Sequence, residues 1–296
     1  MPLPPLYKFL DVRGAKLTLR NGTFKHSNPR DFNDVDDLTV NSVFPVTVEE
    51  ATDRFQALFI DVLLENLDRE PKCPSPMREQ LKLIQRAMKH DPSLVDRFKE
   101  EFEADNEPPF DVEHLKFNAI QTLGKINEFL CLARVFCVST LVSSSAMWEE
   151  YAESHKGIAL RIVPNVERDS KFRLFRPVEY RGQRPSLFSS VREFIGGLFE
   201  DSMEYHRSRL DTIIYTKTLE WQHESEYRLV IHLRPDEPLW NTDGYHPDEI
   251  TELYLGAAMQ MKDMAEIVTL ARLRNPKIAI FRSNRTDGGE VVFEPF

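Results

Sequence analysis

The sequence predicts an α+β fold, with a mixed or antiparallel sheet as its core and a helical lobe inserted into it. Strand-like apolar runs occur before residue 47 and after residue 130, while the stretch between them has helical spacing. A chain of 296 residues is long enough for one large domain that carries a sizeable insertion. We therefore expect residues 1–296 to form a single domain, with residues 47–130 as its helical insertion.

The first elements are short. Leu6–Leu10 is predicted to be a strand, because it is mostly apolar and the prolines before it bar a preceding helix. Residues 12–19 are predicted to form a helix. A turn at Asn21-Gly22 then leads into a second strand, Thr23–His26.

The middle of the chain is predicted to form four helices. Thr47 and Glu50 match a capping box, and the apolar residues that follow repeat at helical spacing. Further helix starts are indicated at Ser75-Pro76, at Asp91-Pro92 and at Asp111. The apolar faces of these helices are too wide to remain in solvent, so we expect the helices to pack as a lobe that contains no strand.

Strands and helices alternate unevenly in the rest of the chain. A single long helix is predicted for residues 186–215, weakened at Gly196-Gly197. Shorter helices are predicted at 147–154 and 259–273. Strands are predicted at 135–140, 157–163, 172–180, 227–233, 252–255, 277–281 and 291–293.

Composition narrows the class of protein. The net charge of −10 gives no overall electrostatic case for nucleic-acid binding. The three cysteines, Cys73, Cys131 and Cys137, lack metal-ligand spacing and are typical of reduced thiols in the cytoplasm. No leader pattern and no apolar run long enough for a membrane span are found, so we expect a cytoplasmic protein without membrane contact.

Two distant stretches place aromatic rings and charges at the start of a strand. Trp148 and Tyr151 share one face of a predicted helix before the strand at 157–163. Trp221 precedes the strand at 227–233 in the same way. Such a mixture suits a cleft for a planar polar ligand, and we predict that the three rings face one cavity. The alternative is that the rings anchor these elements in the core.

Two glutamates flank Ser225 in the second stretch. On a strand, Glu224 and Glu226 would point to the same face. One hypothesis is that Glu226 stabilises a developing oxocarbenium ion, as carboxylates do in glycosyl transfer. The alternative is an ion pair of one or both glutamates with Arg228 or Lys217.

A set of ordered motifs resembles a bacterial protein family, the domain of unknown function 2971. The resemblance extends from about residue 6 to residue 293 and brings no settled activity with it. The motifs are Leu6-Tyr7-Lys8-Phe9, Phe24-Lys25-His26-Ser27-Asn28-Pro29, Phe32-Asn33-Asp34, Phe136-Cys137-Val138-Ser139, Met147-Trp148-Glu149-Glu150-Tyr151, His155-Lys156-Gly157, Lys217 with Trp221, Glu224-Ser225-Glu226-Tyr227-Arg228 and Leu253-Tyr254-Leu255-Gly256.

The chain is also similar, more loosely, to the ADP-ribosyltransferase fold. In that fold an opening strand carries His or Arg, a later strand carries a hydroxyl or Tyr, and a Glu precedes a final strand. In this chain Lys8 takes the first position, Ser27 or Ser139 the second and Glu226 the last. Lys8 departs from the pattern, which has His or Arg there, and an ammonium cannot copy the geometry of either group. The resemblance implies NAD as the substrate and no metal. Lys8 and Glu226 are then the catalytic candidates, and the NAD-binding candidates are Tyr7, Ser27, Asn33, Trp148, Tyr151, Trp221 and Arg228.

The implied function is transfer of ADP-ribose from NAD to a nucleic acid or a protein, as in a toxin or a defence effector. Two other classes stay open: a nucleotide- or nucleic-acid-binding module without catalysis, and a protein-interaction module that uses the helical insertion. The basic residues that could contact nucleic acid alternate with aromatic rings over one stretch. They are Lys171, Arg173, Arg176, Arg181 and Arg184. The alternative for this stretch is a strand with a solvated basic edge.

Overall fold

In the computed structural model, the strand nearest the N-terminus lies in the middle of an eight-stranded mixed sheet. The structure describes residues 3–104, 112–200, 202–232, 241–286 and 288–296. The chain forms two units. Unit 1 comprises Met1–Asp37, Cys131–Gly182 and Lys217–Phe296, and unit 2 comprises Leu38–Leu130 and Gln183–Thr216. The large sheet and the helices confirm the α+β prediction, whereas the single domain stays a prediction.

Unit 1 contains the large sheet. Its strands are β1 (Leu6–Leu10), β3 (Ala133–Ser139), β4 (Ile158–Ile162), β5 (Arg176–Pro177), β8 (Glu226–His232), β10 (Ile250–Leu255), β11 (Ala279–Arg285) and β12 (Val291–Pro295). Helices α1 (Val12–Asn21), α6 (Ser145–Tyr151) and α9 (Met261–Arg274) belong to the same unit. In the sheet the strands follow the order β12-β11-β10-β4-β1-β3-β8-β5. The pairing of β10 with β11 is parallel and the other pairings are antiparallel. Outside it, β2 (Thr23–His26) pairs with β9 (Asn241–Gly244), and two further short strands are β6 (Glu179–Arg181) and β7 (Thr216–Thr218).

Strand β1 pairs fully with one neighbour and over a very short length with the other. Strand β1 pairs with β4 along all five of its residues, from Leu6↔Ile162 to Leu10↔Ile158. Against β3 its register is the single pair Tyr7↔Ser139. Further along β3, the backbone of Ser27 exchanges two hydrogen bonds of 2.9 Å with Val135. The sheet therefore loses its regular pairing between β1 and β3 after one residue pair.

Two apolar clusters surround the sheet of unit 1. One is built on Phe24, Phe136, Leu160 and Leu253, and residues of α1 and α9 complete it. His26, which is also fully buried, stacks on Phe136 with a ring distance of 5.3 Å. The other cluster contains Phe9, Trp148, Ala159 and Tyr254. Burial of these side chains is the main source of stability for the sheet.

Unit 2 is helical in its described residues, apart from its connecting segments and the first residue of β7. Its core is formed by apolar side chains such as Val62, Leu63, Leu81, Ile195 and Phe199. The capping box at Thr47 and Glu50 is present, and residues 55–102 contain helices and turns but no strand, as predicted. The predicted cap Asp111 lies outside the described residues. The helices are α2 (Val48–Glu65), α3 (Met77–His90), α4 (Leu94–Ala104), α5 (Val112–Leu130), α7 (Val191–Gly196) and α8 (Met203–Ile214).

Two predicted elements are wrong. The long helix at 186–215 is instead α7 and α8, because Ser190 and Ser202 each accept a hydrogen bond from a backbone N–H three residues ahead and so start a new helix. The strand at 172–180 begins as a 3₁₀ turn, Lys171–Leu174, which Ser170 caps. Only Arg176–Pro177 and Glu179–Arg181 remain as short strands.

Candidate functional site

A cleft of about 1070 Å³ lies within unit 1. One wall includes Lys8, Phe9 and Leu10 of β1, and another includes Val135 and Cys137 of β3. The cleft therefore follows the gap where these strands stop pairing. Helices α1 and α6, strand β2 and the loop at residues 31–37 complete its lining. Its volume is in the range of small-molecule and cofactor sites.

The turn before β8 brings two carboxylates to this cleft. Ser225 has a left-handed backbone, with φ of 44°. Glu224 ends a 3₁₀ turn before it, and Glu226 begins β8 after it. Both glutamates line the cleft. The prediction that the two share one face of a strand is therefore wrong for Glu224, which reaches the cleft because the chain turns at Ser225.

Arg228 joins two carboxylates below the cleft. Its Nε and Nη2 donate to the two oxygens of Glu226 at 2.7 and 3.0 Å. Its Nη1 and Nη2 donate to the two oxygens of Asp37 at 3.0 and 2.5 Å. All three side chains are buried. Such paired contacts fix the planes of both carboxylates.

Lys217 supplies the second cation of this network. Its Nζ donates to Glu224 Oε2 at 2.6 Å and lies 3.8 Å from both Asp37 Oδ2 and Glu226 Oε2. The ring of Trp221 lies 4.4 Å from the same ammonium. We call Asp37, Lys217, Glu224, Glu226 and Arg228 the charged floor. The ion-pair alternative proposed for Glu224 and Glu226 is thus present in the structure.

The charged floor separates the ionisation of its two glutamates. Burial alone would raise the pKa of Glu226, but the Arg228 guanidinium, helped by Lys217, outweighs burial and lowers this pKa to about 2. Burial and the charge of Glu226 raise the pKa of Glu224, although Lys217 opposes them. Burial likewise raises the pKa of Asp37 against the effect of Arg228. Glu226 is therefore a fixed anion, while Glu224 is suited to hold or accept a proton.

Tyr151 and Tyr180 complete the surroundings of these glutamates. The Tyr151 hydroxyl donates to Glu224 Oε1 at 2.5 Å. The Tyr180 hydroxyl accepts from the backbone N–H of Glu226 at 2.9 Å. Burial raises the pKa of both tyrosines, so both stay neutral hydrogen-bonding groups.

Lys8 belongs to β1 and contacts the neighbouring strand β3. Its Nζ donates to the Cys137 carbonyl at 3.0 Å and lies 5.1 Å from the centre of the Phe136 ring. Burial lowers the pKa of Lys8, although Cys137 and Glu226 oppose this. Burial also raises the pKa of the Cys137 thiol well above its usual value. Burial thus favours the neutral form of both the Lys8 amine and the Cys137 thiol.

The rings predicted to share the cavity divide between core and cleft. Tyr151 lines the cleft, as does Tyr7. Trp148 is fully buried: its indole N–H donates to the Val142 carbonyl at 2.7 Å, and its ring packs edge-on against Phe9. The cavity prediction is therefore wrong for Trp148, because its helix buries that ring in the apolar core. Trp221 covers Lys217 and is not among the residues that line the cleft.

Most of the other predicted site residues line the cleft, and one does not. Ser27 and Asn33 line the cleft, and Ser27 also holds the edge of β3 through its backbone. Ser139 lines the cleft as well, and its hydroxyl accepts from Leu141 N at 3.1 Å. Arg228 is the fully buried member of the charged floor and is not among the residues that line the cleft, so it acts on Glu226 and is not exposed to a ligand.

The basic stretch does not form a continuous free surface. Lys171 forms an ion pair with Asp243, and Arg181 binds Glu179 at 2.7 Å. Arg176 lies on β5 and pairs through its backbone with Arg228 of β8, while Arg173 is exposed in the 3₁₀ turn. Arg184 belongs to unit 2. The structure thus gives the nucleic-acid hypothesis for this stretch no support.

One group of side chains has the donor types of a metal site. Glu150, His223 and Glu224 bring one ligand atom each within 4.8 Å of one another. The ammonium of Lys217 already binds Glu224 at 2.6 Å and would repel a cation. We therefore assign no metal to this group. Across the described residues, no helix has the length and apolar character needed to cross a membrane.

Sequence reasoning missed Asp37, whose loop contains several acidic residues with nothing to distinguish this one. It also missed Tyr180, which lies 46 positions from its hydrogen-bonding partner Glu226. Comparison of the chain with protein-family models, with curated proteins and with solved structures gives no match.

Proposed function

We propose that the cleft of unit 1 binds NAD and transfers its ADP-ribosyl group to a protein or a nucleic acid. The observation that carries this proposal is that Lys8, Tyr151 and Glu226 line one cleft, although 143 and 75 positions separate them along the sequence (151 − 8 and 226 − 151). The resemblance to the ADP-ribosyltransferase fold and to the domain of unknown function 2971 is part of the same proposal. The cleft volume of about 1070 Å³ is adequate for a dinucleotide.

Glu226 has the central role in the proposed reaction. Departure of nicotinamide leaves positive charge on the ribose, and a fixed anion stabilises that charge. The low pKa of Glu226, about 2, keeps this carboxylate ionised at neutral pH. Arg228 holds both of its oxygens, so the anion does not need to reorient during the reaction.

Glu224 and Tyr151 suit the acceptor step. The attacking group must lose a proton, and burial beside Glu226 raises the pKa of Glu224, so Glu224 is the more basic of the two carboxylates. Tyr151 donates to Glu224 Oε1 and Lys217 to Oε2, which fixes the direction of the carboxylate. The two glutamates thus divide the work between charge stabilisation and proton transfer.

The test begins with the wild-type protein. Calorimetry at millimolar NAD should show binding, and incubation with labelled NAD should show release of nicotinamide. Glu226→Gln keeps the shape of the side chain and removes its charge. It should lower turnover about 10²–10³-fold, the usual effect of removing an electrostatic stabiliser.

The matched control is Glu179→Gln, because Glu179 is exposed and binds Arg181 away from the cleft residues. Thermal unfolding of each variant separates loss of activity from loss of fold. Absence of NAD binding by the wild type, or full activity of a folded Glu226→Gln variant, would contradict the proposal.

A nucleotide-binding module without catalysis is the second candidate. It is favoured by the contact of Arg228 with both oxygens of Glu226, since this arrangement also satisfies the carboxylate with no ligand present. In that case NAD or another nucleotide binds, and neither the wild type nor any variant releases nicotinamide.

A further inference from the structure

Two of the lysines that line the cleft, Lys8 and Lys217, lie in opposite environments. Lys217 lies against three carboxylates, the nearest at 2.6 Å. Lys8 forms no ion pair with a carboxylate in the part of the chain that the structure describes, and its Nζ donates to the Cys137 carbonyl at 3.0 Å. A carbonyl satisfies an ammonium far less than a carboxylate does, since it carries no net charge.

The surroundings of Lys8 favour its neutral amine. Its Nζ lies beside the Phe136 ring in the wall of the cleft. Burial lowers the pKa of Lys8, whereas the nearby carboxylates raise the pKa of Lys217 in spite of burial. Lysines in desolvated pockets serve as nucleophiles because the neutral amine has a free lone pair.

We propose that Lys8 is a carbonyl-reactive amine that forms an imine with an aldehyde ligand, specifically an open-chain aldose. The aldehyde is indicated by the amine itself, and the sugar by the hydroxyl-binding groups around it. Asp37, Glu224, Glu226 and Tyr151 line the same cleft. The carboxylate oxygens already accept from Arg228, Lys217 or Tyr151, and each has a second lone pair that can accept from a sugar hydroxyl. This activity goes beyond the proposed function and does not require NAD.

The step balances without an oxidant or a reductant. The lone pair of Lys8 Nζ attacks the aldehyde carbon, so that a C–N bond forms and the C=O π bond breaks. The C–O bond then breaks and a C=N bond forms. The two protons that the nitrogen loses leave with the aldehyde oxygen as water.

Reductive trapping tests this inference directly. Wild-type protein is incubated with ribose 5-phosphate and sodium cyanoborohydride, digested and mapped by mass spectrometry. We expect the adduct on Lys8 to accumulate several-fold faster than on Lys25, which lines the same cleft but is exposed. Ribitol 5-phosphate, which has no aldehyde, should give no adduct.

Two variants sharpen the result. Lys8→Arg should remove the fast-labelled peptide and keep the slow labelling of exposed lysines, because a guanidinium forms no such imine under these conditions. Lys25→Arg should leave the Lys8 adduct unchanged. Since the wild-type peptide map is itself the test, a Lys8→Arg variant that fails to fold does not remove it.

Labelling of Lys8 no faster than that of Lys25 would overturn the inference. Faster labelling of Lys217 than of Lys8 would do the same, because it would identify Lys217 and not Lys8 as the neutral amine. Neither outcome bears on NAD cleavage, so this inference and the proposed function can fail separately.

Discussion

Unit 1 buries polar groups in two ways, in the charged floor and in the aromatic cluster around His26. In the charged floor every cation has a carboxylate partner, for example Lys217 with Glu224. His26 is as deeply buried among Phe24, Phe136 and Phe172, but within the described residues neither of its ring nitrogens has a hydrogen-bond partner. The charged floor keeps Glu226 ionised, whereas burial favours the neutral form of His26. The comparison teaches that the available partners, and not burial alone, decide the ionisation state of a buried group.

The largest effect is expected when the central cation of the charged floor is removed. Arg228→Met leaves Asp37 and Glu226 buried without their main partner. The free energy of unfolding should fall by about 3–5 kcal/mol, as it does when one member of a buried ion pair is removed. Urea denaturation measures it. Arg181→Met, which breaks an exposed pair with Glu179, is the control and should cost at most about 1 kcal/mol. If Arg228→Met and Arg181→Met lowered the free energy of unfolding equally, the buried network would be no more important to stability than an exposed ion pair.

The aromatic cluster should respond to acid. Burial lowers the pKa of His26 to about 4, so the unfolded chain takes up its proton at a higher pH than the folded chain does. The contribution of His26 to stability is therefore complete above about pH 6.5 and is lost as the pH falls toward 4, by about 3 kcal/mol in total. The nearby charges of Asp243, Lys171 and Lys8 have smaller effects on the pKa of His26 than burial has, and the pKa stays lowered.

Denaturation curves between pH 8 and pH 4.5 measure the effect. His26→Phe should flatten this part of the stability profile, because it keeps an aromatic ring and removes the titrating group. His90→Gln, at an exposed position of α3, should leave the profile unchanged. A His26→Phe profile parallel to that of the wild type would show that His26 does not control it.

A smaller effect is expected at the edge of the charged floor. Tyr151→Phe removes the hydroxyl that donates to Glu224 Oε1 and leaves Lys217 on the other oxygen. Unfolding should become easier by about 1–2 kcal/mol, the range between neutral and charge-assisted hydrogen bonds. Tyr245→Phe, which loses a 3.2 Å bond to a backbone carbonyl, is the control with the smaller cost. The reverse order would mean that Tyr151 contributes little to the network.

The smallest effect concerns the turn that places the two glutamates. Ser225 has φ of 44°, a region that costs a non-glycine residue about 1 kcal/mol. Ser225→Gly should raise the melting temperature slightly, and Ser225→Val should lower it, because β-branching worsens the strain. If both variants lower it equally, the serine side chain and not the backbone matters at this position.

The sequence predicts local elements better than it predicts their partners. Helix caps and apolar periodicity located β1, α1 and the helices α2 to α5, because the physical causes lie within a few residues. The pairing of Asp37 with Arg228 depends on a contact across 191 positions, and no local pattern encodes it. The aromatic motifs were ambiguous for the same reason. Trp148 and Trp221 both precede strands, but Trp148 packs in the core against Phe9, which lies far away in the sequence, whereas Trp221 lies over Lys217 of its own stretch.

The single pair Tyr7↔Ser139, continued by Ser139↔Glu226, sets a condition on the synthesis of the protein. The first strand of the chain must wait for β3 and β8 before its part of the cleft exists. At about 5–20 residues per second, at least roughly ten seconds of translation separate β1 from Glu226. A nascent chain that stops before Glu226 therefore carries Lys8 and Tyr151 without the carboxylate that lines the same cleft, so the cleft cannot form until β8 has been synthesised.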